Sequence, residues 1–261
     1  MIYGKLPIVF LGLLASEKSG STNSIIATYI LDNLEEMKEI GIQQFAQNCN
    51  VSISSISRFC REVGLESFAE LKMILNQANL DKGPAATDGC FSERILSYKE
   101  QTLDGIQQVS TSLSEYQINE LVQDLVSYKK VAAFGLMKAE TAALILQSDL
   151  LMYGKQVFKN LSFKEQMDYI LEAGEDELII LFSFTSSYFD YASLKPFLRK
   201  KKHPKIWMIT GGNTSAPTFV HRCIRFSSKQ SHFEHPSQLA FVATIIAQEY
   251  NRYIQENHSS N

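Results

Sequence analysis

The segment NCNVSISSISRFCREVGL, residues 48–65, decides the fold of the first half of the chain. Apolar residues recur in it every three or four positions, which predicts a short helix whose buried side consists of Ile53, Ile56, Cys60 and Val63. Because each residue turns a helix by about 100°, the opposite side holds hydroxyls and arginines. These are Ser54, Ser55, Arg58 and Arg61, with Ser57 at the margin. The segment has no acidic residue before Glu62.

A second helical pattern precedes this one, and a turn of about three residues joins the two. Its apolar positions are Ile42, Phe45, Ala46 and Cys49. Ala46 is small where the second helix crosses the first, Asn50 adopts a left-handed backbone at low cost, and Ser52 can cap the second helix. These features predict a helix-turn-helix. A helix over residues 25–37 precedes it, and another begins at the capping box of Ser67 and Glu70.

The exposed face of the second helix suits DNA. Short hydroxyls allow a helix to approach a groove closely, and arginines reach phosphates or guanine edges. The predicted DNA-contacting residues are Ser52, Ser54, Ser55, Ser57, Arg58 and Arg61. Residues 42–61 hold two basic and no acidic residues, although the whole chain has a net charge of -3. Periodicity alone leaves another interpretation open, in which the serines form the solvated face of a four-helix bundle.

Residues 42–72, IQQFAQNCNVSISSISRFCREVGLESFAELK, resemble the N-terminal helix-turn-helix domain of the RpiR/MurR family of bacterial transcriptional regulators. The positions that match the family pattern are Ile42, Ala46, Val51, Ser52, Ser55, Ile56, Arg58, Phe59, Arg61, Gly64, Phe68, Leu71 and Lys72. The resemblance implies a cytoplasmic regulator that contacts double-stranded operator DNA as a homodimer or a higher homo-oligomer.

Composition narrows the classes of protein only slightly. Four cysteines (Cys49, Cys60, Cys90 and Cys223) show no CxxC spacing, so no zinc or other metal site is expected, and no cofactor. The apolar stretch KLPIVFLGLLA, residues 5–15, is too short to span a bilayer, and no membrane partner is expected. We interpret it as an N-terminal element packed on the protein body, with a secretion signal as the alternative.

The pattern changes after residues 81–89, DKGPAATDG, whose glycine, proline and small residues are typical of a linker. We expect a first domain over residues 1–80, a linker over 81–91 and a second domain over 92–261. In the second domain the apolar runs KVAAF, ELIILFSF, KIWMIT and CIRF alternate with helical patterns at 138–153, 162–173, 189–201 and 237–256. The fold class is therefore α/β: an all-α helix-turn-helix domain, then a parallel sheet in an α/β/α arrangement.

Three loops follow the predicted strands, at the edge where ligands of parallel sheets bind. They are GLMKAE (135–140), SFTSSYFD (183–190) and TGGNTSAP (210–217). Hydroxyl clusters at a helix start can donate several hydrogen bonds to a phosphate. The same residue types are also common in loops that bind nothing, so both interpretations stay open at this point.

Residues 92–256 resemble the SIS (sugar isomerase) domain, the effector-sensing half of RpiR-type regulators. The resemblance implies a phosphorylated sugar as effector and the effector-binding residues Gly135, Lys138, Ser183, Thr185, Ser186, Ser187 and Glu234. In the first two loops, Met137 and Ser186 replace glycines of the family pattern, Ala139 replaces a serine, and Tyr188 replaces a threonine or serine. In the segment before the last helix, Gln238 stands where arginine is usual. The side chain of Met137 then stands where backbone must approach the ligand, and Tyr188 fills space that a phosphate needs. We therefore expect a partly degenerate pocket.

The leading prediction is a transcriptional regulator and not an enzyme, so no catalytic residue is assigned. In isomerases of this fold a glutamate or histidine near the last helix moves protons, and the segment HFEHPSQLA (232–240) offers Glu234 and His235. A sugar-phosphate isomerase is therefore one alternative. A regulator whose SIS domain no longer binds any ligand is the other.

Overall fold

The computed structural model describes residues 5–77, 89–191, 195–229 and 235–258. It divides into two compact units. The first unit draws on residues within 1–82, 160–169 and 189–196, and the second on residues within 83–159, 170–188 and 197–261. No described helix is both long enough and apolar enough to cross a membrane.

Helices make up the N-terminal part of the first unit. They are α1 (Lys5–Ser16), α2 (Thr22–Asp32), α3 (Leu34–Met37), α4 (Ile42–Asn48), α5 (Ile53–Glu62) and α6 (Phe68–Gln77). The helix predicted over 25–37 is interrupted at Asn33, whose side-chain amide donates to the Tyr29 carbonyl at 2.8 Å and so competes with the helical hydrogen bonds. The apolar stretch over residues 5–15 lies in α1, and Phe10 is fully buried there.

Aromatic stacking ties these helices together. Phe10 of α1 stacks on Phe59 of α5, and Phe45 of α4 stacks on Phe68 of α6, both at a centroid distance of 5.6 Å. The predicted buried side of α5 is wrong at one position. Ile53 is 44% exposed, and the fully buried Phe59 takes its place beside Ile56 and Cys60. The error arises because Ile53 is the first residue of α5 and no preceding turn of helix covers it.

The turn between α4 and α5 has the predicted form. Asn50 has a φ of 52°, in the left-handed region. The amide of Val51 donates to the Ala46 carbonyl at 3.0 Å, and the Ser52 hydroxyl accepts from the Ser55 amide at 3.1 Å. Ser52 therefore caps α5, as predicted.

The predicted capping box at the start of α6 is present with one change. The Ser67 hydroxyl accepts from the Glu70 amide at 3.2 Å. The Glu70 carboxylate accepts from the amide of Glu66 at 2.6 Å, one residue earlier than the usual reciprocal bond. Both bonds satisfy amides at the helix start that would otherwise lack a partner.

The remaining elements combine helices with four strands. They are α7 (Phe91–Ser112), α8 (Glu115–Ser127), β1 (Lys130–Gly135), α9 (Lys138–Met152), α10 (Phe163–Glu172), β2 (Glu177–Phe182), a short 3-10 helix (Tyr188–Tyr191), α11 (Lys195–Leu198), β3 (Lys205–Thr210), β4 (Arg222–Arg225) and α12 (His235–His258). The four strands are parallel in the order β1-β2-β3-β4. This arrangement confirms the predicted fold class.

The helix predicted over 189–201 is wrong in the described residues, which show only the 3-10 helix and the four-residue α11. Pro196 lies in this stretch and has no amide hydrogen for a helical bond. The short connection leaves the loop after β2 largely irregular. That loop contains most of the predicted effector-binding residues.

One largely buried carboxylate joins α8 to the sheet. Asp124 accepts a hydrogen bond from the indole Nε1 of Trp207 at 2.7 Å, and its Oδ2 lies 2.7 Å from the Lys205 ammonium. Trp207 is fully buried in β3 and is the only tryptophan of the chain. Its fluorescence therefore reports on the core of the second unit.

Asp124→Ala should lower the unfolding free energy of the second unit by about 2–3 kcal/mol, because it leaves a buried indole N–H and a largely buried ammonium without their acceptor. Urea unfolding followed by Trp207 fluorescence measures this change. Asp176→Ala is the control, since it removes an exposed carboxylate 2.9 Å from Lys130 and should leave the unfolding midpoint nearly unchanged. Equal midpoint shifts in the two variants would contradict the assignment.

Candidate DNA-contacting helix and effector loops

Of the four serines in α5 and its cap, Ser52 and Ser57 bond to the helix backbone, and Ser54 and Ser55 lie in the first turn. Ser52 is committed to capping, and its hydroxyl also lies 2.7 Å from that of Ser54 and 2.9 Å from that of Ser55. Ser57 donates its hydroxyl to the Ile53 carbonyl at 3.1 Å, one turn earlier. Ser54 is exposed and Ser55 half-buried. The outward hydroxyls of the helix are therefore those near its first turn.

Both arginines lie on the exposed face of α5. The Arg58 Nε is 3.8 Å from a carboxylate oxygen of Glu62, and the Arg61 Nε donates to the Ser57 carbonyl at 3.2 Å. Each of these contacts involves only one of the five guanidinium N–H donors. Glu62 also accepts from the Asn23 amide at 2.7 Å, which links this carboxylate to α2. The geometry leaves both guanidinium groups at the surface.

An open groove of about 510 Å³ lies between α4 and the start of α5. Its lining is uncharged: Gln43, Ala46, Gln47, Asn50, Val51, Ser52 and Ile53. Asn50 and Ser52 belong to the turn, so the groove follows the corner of the helix-turn-helix.

The first effector loop begins at Gly135, the last residue of β1. A Cβ added there would lie 2.7 Å from the carbonyl carbon and oxygen of Ala139. The close approach of strand and helix therefore requires glycine at this position. Lys138, the first residue of α9, is exposed.

Both positions where the SIS pattern has glycine retain a glycine-like backbone. Met137 has φ 54° and ψ -119°, and Ser186 has φ 64°. Residues with a Cβ adopt this region at a cost of about 1–3 kcal/mol each. The substitutions therefore changed the side chains while the loops kept the conformation that glycine favours.

Two predicted effector residues in the second loop face the interior. Ser186 is 5% exposed, and its Oγ lies 2.9 Å from the Thr210 Oγ1. Thr210 donates to the Phe184 carbonyl and accepts from the Gly212 amide, so the Ser186 hydroxyl is the donor in their bond. The buried Ser183 hydroxyl accepts from the Tyr188 amide at 3.1 Å. Both hydroxyls hold the loop in shape.

The other residues of this loop remain nearer the surface. Thr185 and Ser187 are half-buried, with their hydroxyls 2.5 Å apart. Gly135 is paired with Phe182 in the sheet register, which puts the first and second loops at the same edge. In the predicted set, Lys138 is thus exposed, and Thr185 and Ser187 are partly exposed. Glu234 lies outside the described residues.

A buried ion pair occupies the same edge. Glu140, in the first turn of α9, lies 3.1 Å from the Lys159 ammonium, and both side chains are largely buried. Burial raises the pKa of the Glu140 carboxyl, and Lys159 opposes that shift. Burial, followed by the charge of Glu140, raises the pKa of the Tyr188 hydroxyl well above its ordinary value. The positive end of the helix dipole stabilises the Glu140 carboxylate. A phosphate would bind at this same end of a helix.

Comparison with known proteins identifies the first part of the chain. The model of the rpiR-family helix-turn-helix domain matches residues 11–81. The helix-turn-helix part of the chain is therefore similar to that of RpiR-family proteins. Over 126 residues it is 28% identical to an uncharacterised HTH-type transcriptional regulator of Caldanaerobacter subterraneus, covering 45% of this chain and 44% of the relative. It is 26% identical over 174 residues to the transcriptional regulator HexR of Pseudomonas aeruginosa, covering 61% and 58%. The matches thus span about half the length of these relatives.

Solved structures share the fold of this chain. The Vibrio vulnificus NanR protein, complexed with ManNAc-6P, has a TM-score of 0.53 at 14% identity, covering 98% of this chain and 97% of that one. A phosphoheptose isomerase from Francisella tularensis has a TM-score of 0.50 at 14% identity, covering 63% and 100%. At such identities the likeness concerns the fold. It agrees with a helical N-terminal part followed by a parallel sheet with covering helices.

The Glu140–Lys159 pair was missed by sequence reasoning. The two residues are separated by a helix, and no family motif of the RpiR proteins was matched to either of them. One available signal was the position of Glu140 in the first turn of a predicted helix, where acidic residues are common. Its partner could not be inferred, because Lys159 follows a bridge between Phe158 and Ala132 that the apolar pattern did not predict.

Met137→Gly should raise the unfolding free energy of the second unit by about 1 kcal/mol, because glycine adopts the backbone of residue 137 without the cost of a Cβ. Urea unfolding followed by Trp207 fluorescence measures this gain. Met152→Gly, at the other end of α9 and without a positive φ, is the control and should lower the unfolding free energy. Destabilisation by Met137→Gly would show that its side-chain contacts outweigh the backbone strain.

Proposed function

We propose that this protein is a bacterial transcriptional regulator that binds operator DNA, with α5 in the major groove. The exposed face of α5 is the observation that carries the proposal. It presents hydroxyls and two guanidinium groups, it meets α4 at a left-handed corner, and its only acidic residue is Glu62 at the last position. Recognition helices of helix-turn-helix proteins contact bases with their first residues and phosphates around them. The regulator relatives support the same function.

The DNA contacts follow from the exposure of each residue. Ser54 and Ser55 contact bases or phosphates near the start of α5, and Arg58 and Arg61 contact phosphates or guanine edges. Ser52 and Ser57 also contact the DNA. Each hydroxyl keeps hydrogen-bonding capacity that its bond within the helix does not use. Capping by Ser52 also fixes the direction in which the first turn points.

Arg61→Ala should weaken binding to duplex DNA and reduce the steepness of its salt dependence by about one phosphate contact. The measurement is the dissociation constant for a duplex enriched from a random pool, taken at several salt concentrations between about 50 and 200 mM. Lys18→Ala, at an exposed lysine outside α4 and α5, is the control and should keep the wild-type slope. An unchanged slope in Arg61→Ala would remove this residue from the interface.

We further propose that residues 1–80 are the DNA-binding domain, 81–91 the linker and 92–261 the SIS domain of a cytoplasmic homodimer or higher homo-oligomer. Exposed apolar side chains on two helices of the second unit support association between copies. They are Phe91, Ile95 and Tyr98 of α7 and Leu144 and Leu151 of α9. Large apolar side chains that are this exposed are typical of surfaces that another protein chain covers.

The proposed effector is a phosphorylated sugar at the edge where the first two loops meet. Lys138 would supply positive charge at the start of α9, and the hydroxyls of Thr185 and Ser187 would supply hydrogen bonds. Gly135, Ser183 and Ser186 would act by shaping the loops. Glu234 keeps its proposed role as a further contact from the segment before α12.

A second candidate is a regulator without a small ligand, and the Glu140 carboxylate favours it. Glu140, paired with Lys159, already lies in the first turn of α9 and would compete with a phosphate for the positive end of that helix. The inward hydroxyl of Ser186 and the buried Tyr188 also reduce the polar groups that a sugar could reach. Only the fold supports an isomerase. Turnover of a sugar phosphate by the purified chain would show that activity and contradict our proposal.

If the sugar-phosphate proposal holds, a hexose 6-phosphate or an N-acetylhexosamine 6-phosphate should raise the melting temperature, because a ligand bound only by the native state stabilises it by about 2.7 kcal/mol at a hundredfold excess over Kd. Lys138→Ala should abolish the rise. Lys129→Ala, just before β1 and so at the opposite edge of the sheet, is the control and should retain it. No rise with any such compound would favour the regulator without a ligand.

A further inference from the structure

An exposed isoleucine begins the proposed recognition helix. Ile53 is the first residue of α5 and leaves 44% of its surface in contact with water. It lies outside the buried stripe of α5, where Ile56, Phe59 and Cys60 are fully buried. An apolar side chain this exposed contributes only part of the stability that full burial would give. Packing within the chain therefore explains only part of its presence.

The surroundings of Ile53 point toward a nucleic-acid base rather than an apolar partner. The groove beside it carries no charge and mixes the polar groups of Gln43, Gln47, Asn50 and Ser52 with the apolar side chains of Ala46 and Val51. Ser54 follows it on the same exposed turn, and the first turn of α5 contains no acidic residue. Arg58 and Arg61 continue the exposed face toward the end of the helix. A negatively charged groove with hydrogen-bonding walls and an apolar spot matches this arrangement.

The major groove of DNA has one such apolar spot. Thymine carries a C5-methyl group there, whereas the other bases present hydrogen-bond donors and acceptors. The first residues of a recognition helix are those that reach the base edges. A branched aliphatic side chain at this position can cover the methyl group without needing a hydrogen bond of its own.

We propose that Ile53 contacts the C5-methyl group of a thymine and selects a T·A pair at that position of the operator. This inference rests on the proposed DNA-binding function and names one of its specificity determinants. Covering one methyl group favours binding by about fourfold. The serines and arginines around Ile53 supply the remaining contacts, so the methyl contact chooses among sequences more than it fixes overall affinity.

The test begins with a selection of duplexes from a random pool by the wild-type chain. Each thymine of the enriched duplex is then replaced in turn by deoxyuridine, which lacks only the C5-methyl group. Wild type should lose about fourfold in affinity at one thymine, or at a symmetry-related pair of thymines. Ile53→Ala should bind the thymine and deoxyuridine duplexes equally well.

Ile25→Ala is the matched control, because Ile25 is an isoleucine of α2 with a similar exposure of 41%. This variant should respond to deoxyuridine as wild type does. If wild type enriches no sequence, both the proposed function and this inference fail. If it enriches a sequence but is insensitive to deoxyuridine at every position, or if Ile53→Ala is as sensitive as wild type, only the inference about Ile53 is overturned.

Discussion

Three non-glycine residues with a left-handed backbone set the geometry of both candidate sites. Asn50 lies between α4 and α5, Met137 immediately precedes α9, and Ser186 lies in the loop after β2. Asparagine adopts this backbone region at a low free-energy cost, whereas the cost for methionine and serine is higher. Such conformations persist only where the surrounding structure enforces them. In the second unit the enforcing contacts are the close approach of Gly135 to Ala139 and the bond between Ser186 and Thr210.

The hydrogen bonds in and beside these three turns decide which hydroxyls are available for binding. Ser52 and Ser183 accept amide hydrogen bonds, and Ser186 donates to Thr210, so all three stabilise the loops that contain them. A hydroxyl that holds a loop in shape has less capacity for a ligand. The first unit retains exposed groups of the right kind beyond its cap, namely the hydroxyl of Ser54 and two guanidinium groups. The second unit retains fewer exposed hydroxyls and cationic groups, and the largely buried carboxylate of Glu140 lies at the same edge of the sheet.

Much of the fold followed from local patterns. The turn at Asn50, the cap at Ser52 and the four strands were predicted because each depends on the chemistry of neighbouring residues or on a continuous apolar run. The errors concern the ends of elements and contacts distant in sequence. Helical periodicity put Ile53 on the buried side, yet no earlier turn of α5 exists to cover it. Helical periodicity also predicted one continuous helix where the structure has α2 and α3. The apolar pattern does not reveal that the Asn33 side chain competes for a backbone carbonyl.

The departures from the SIS pattern were visible in the sequence, but their consequence was not. Loss of glycine at positions 137 and 186 predicted a changed pocket, and the loops nevertheless keep the backbone that glycine favours. What changed is the chemistry at their surface. The pairing of Glu140 with Lys159 depends on how a strand-like segment lies beside β1, which a single sequence does not encode locally.

Specific DNA recognition is the central claim, and the ratio of two dissociation constants tests it most directly. One constant is for the duplex enriched from a random pool, and the other is for a duplex of the same composition with its sequence scrambled, both near physiological salt. A specific regulator should prefer the enriched duplex by about a thousandfold or more. Equal constants would show that α5 binds DNA only through its charge, or does not serve as a recognition helix, and would contradict the account.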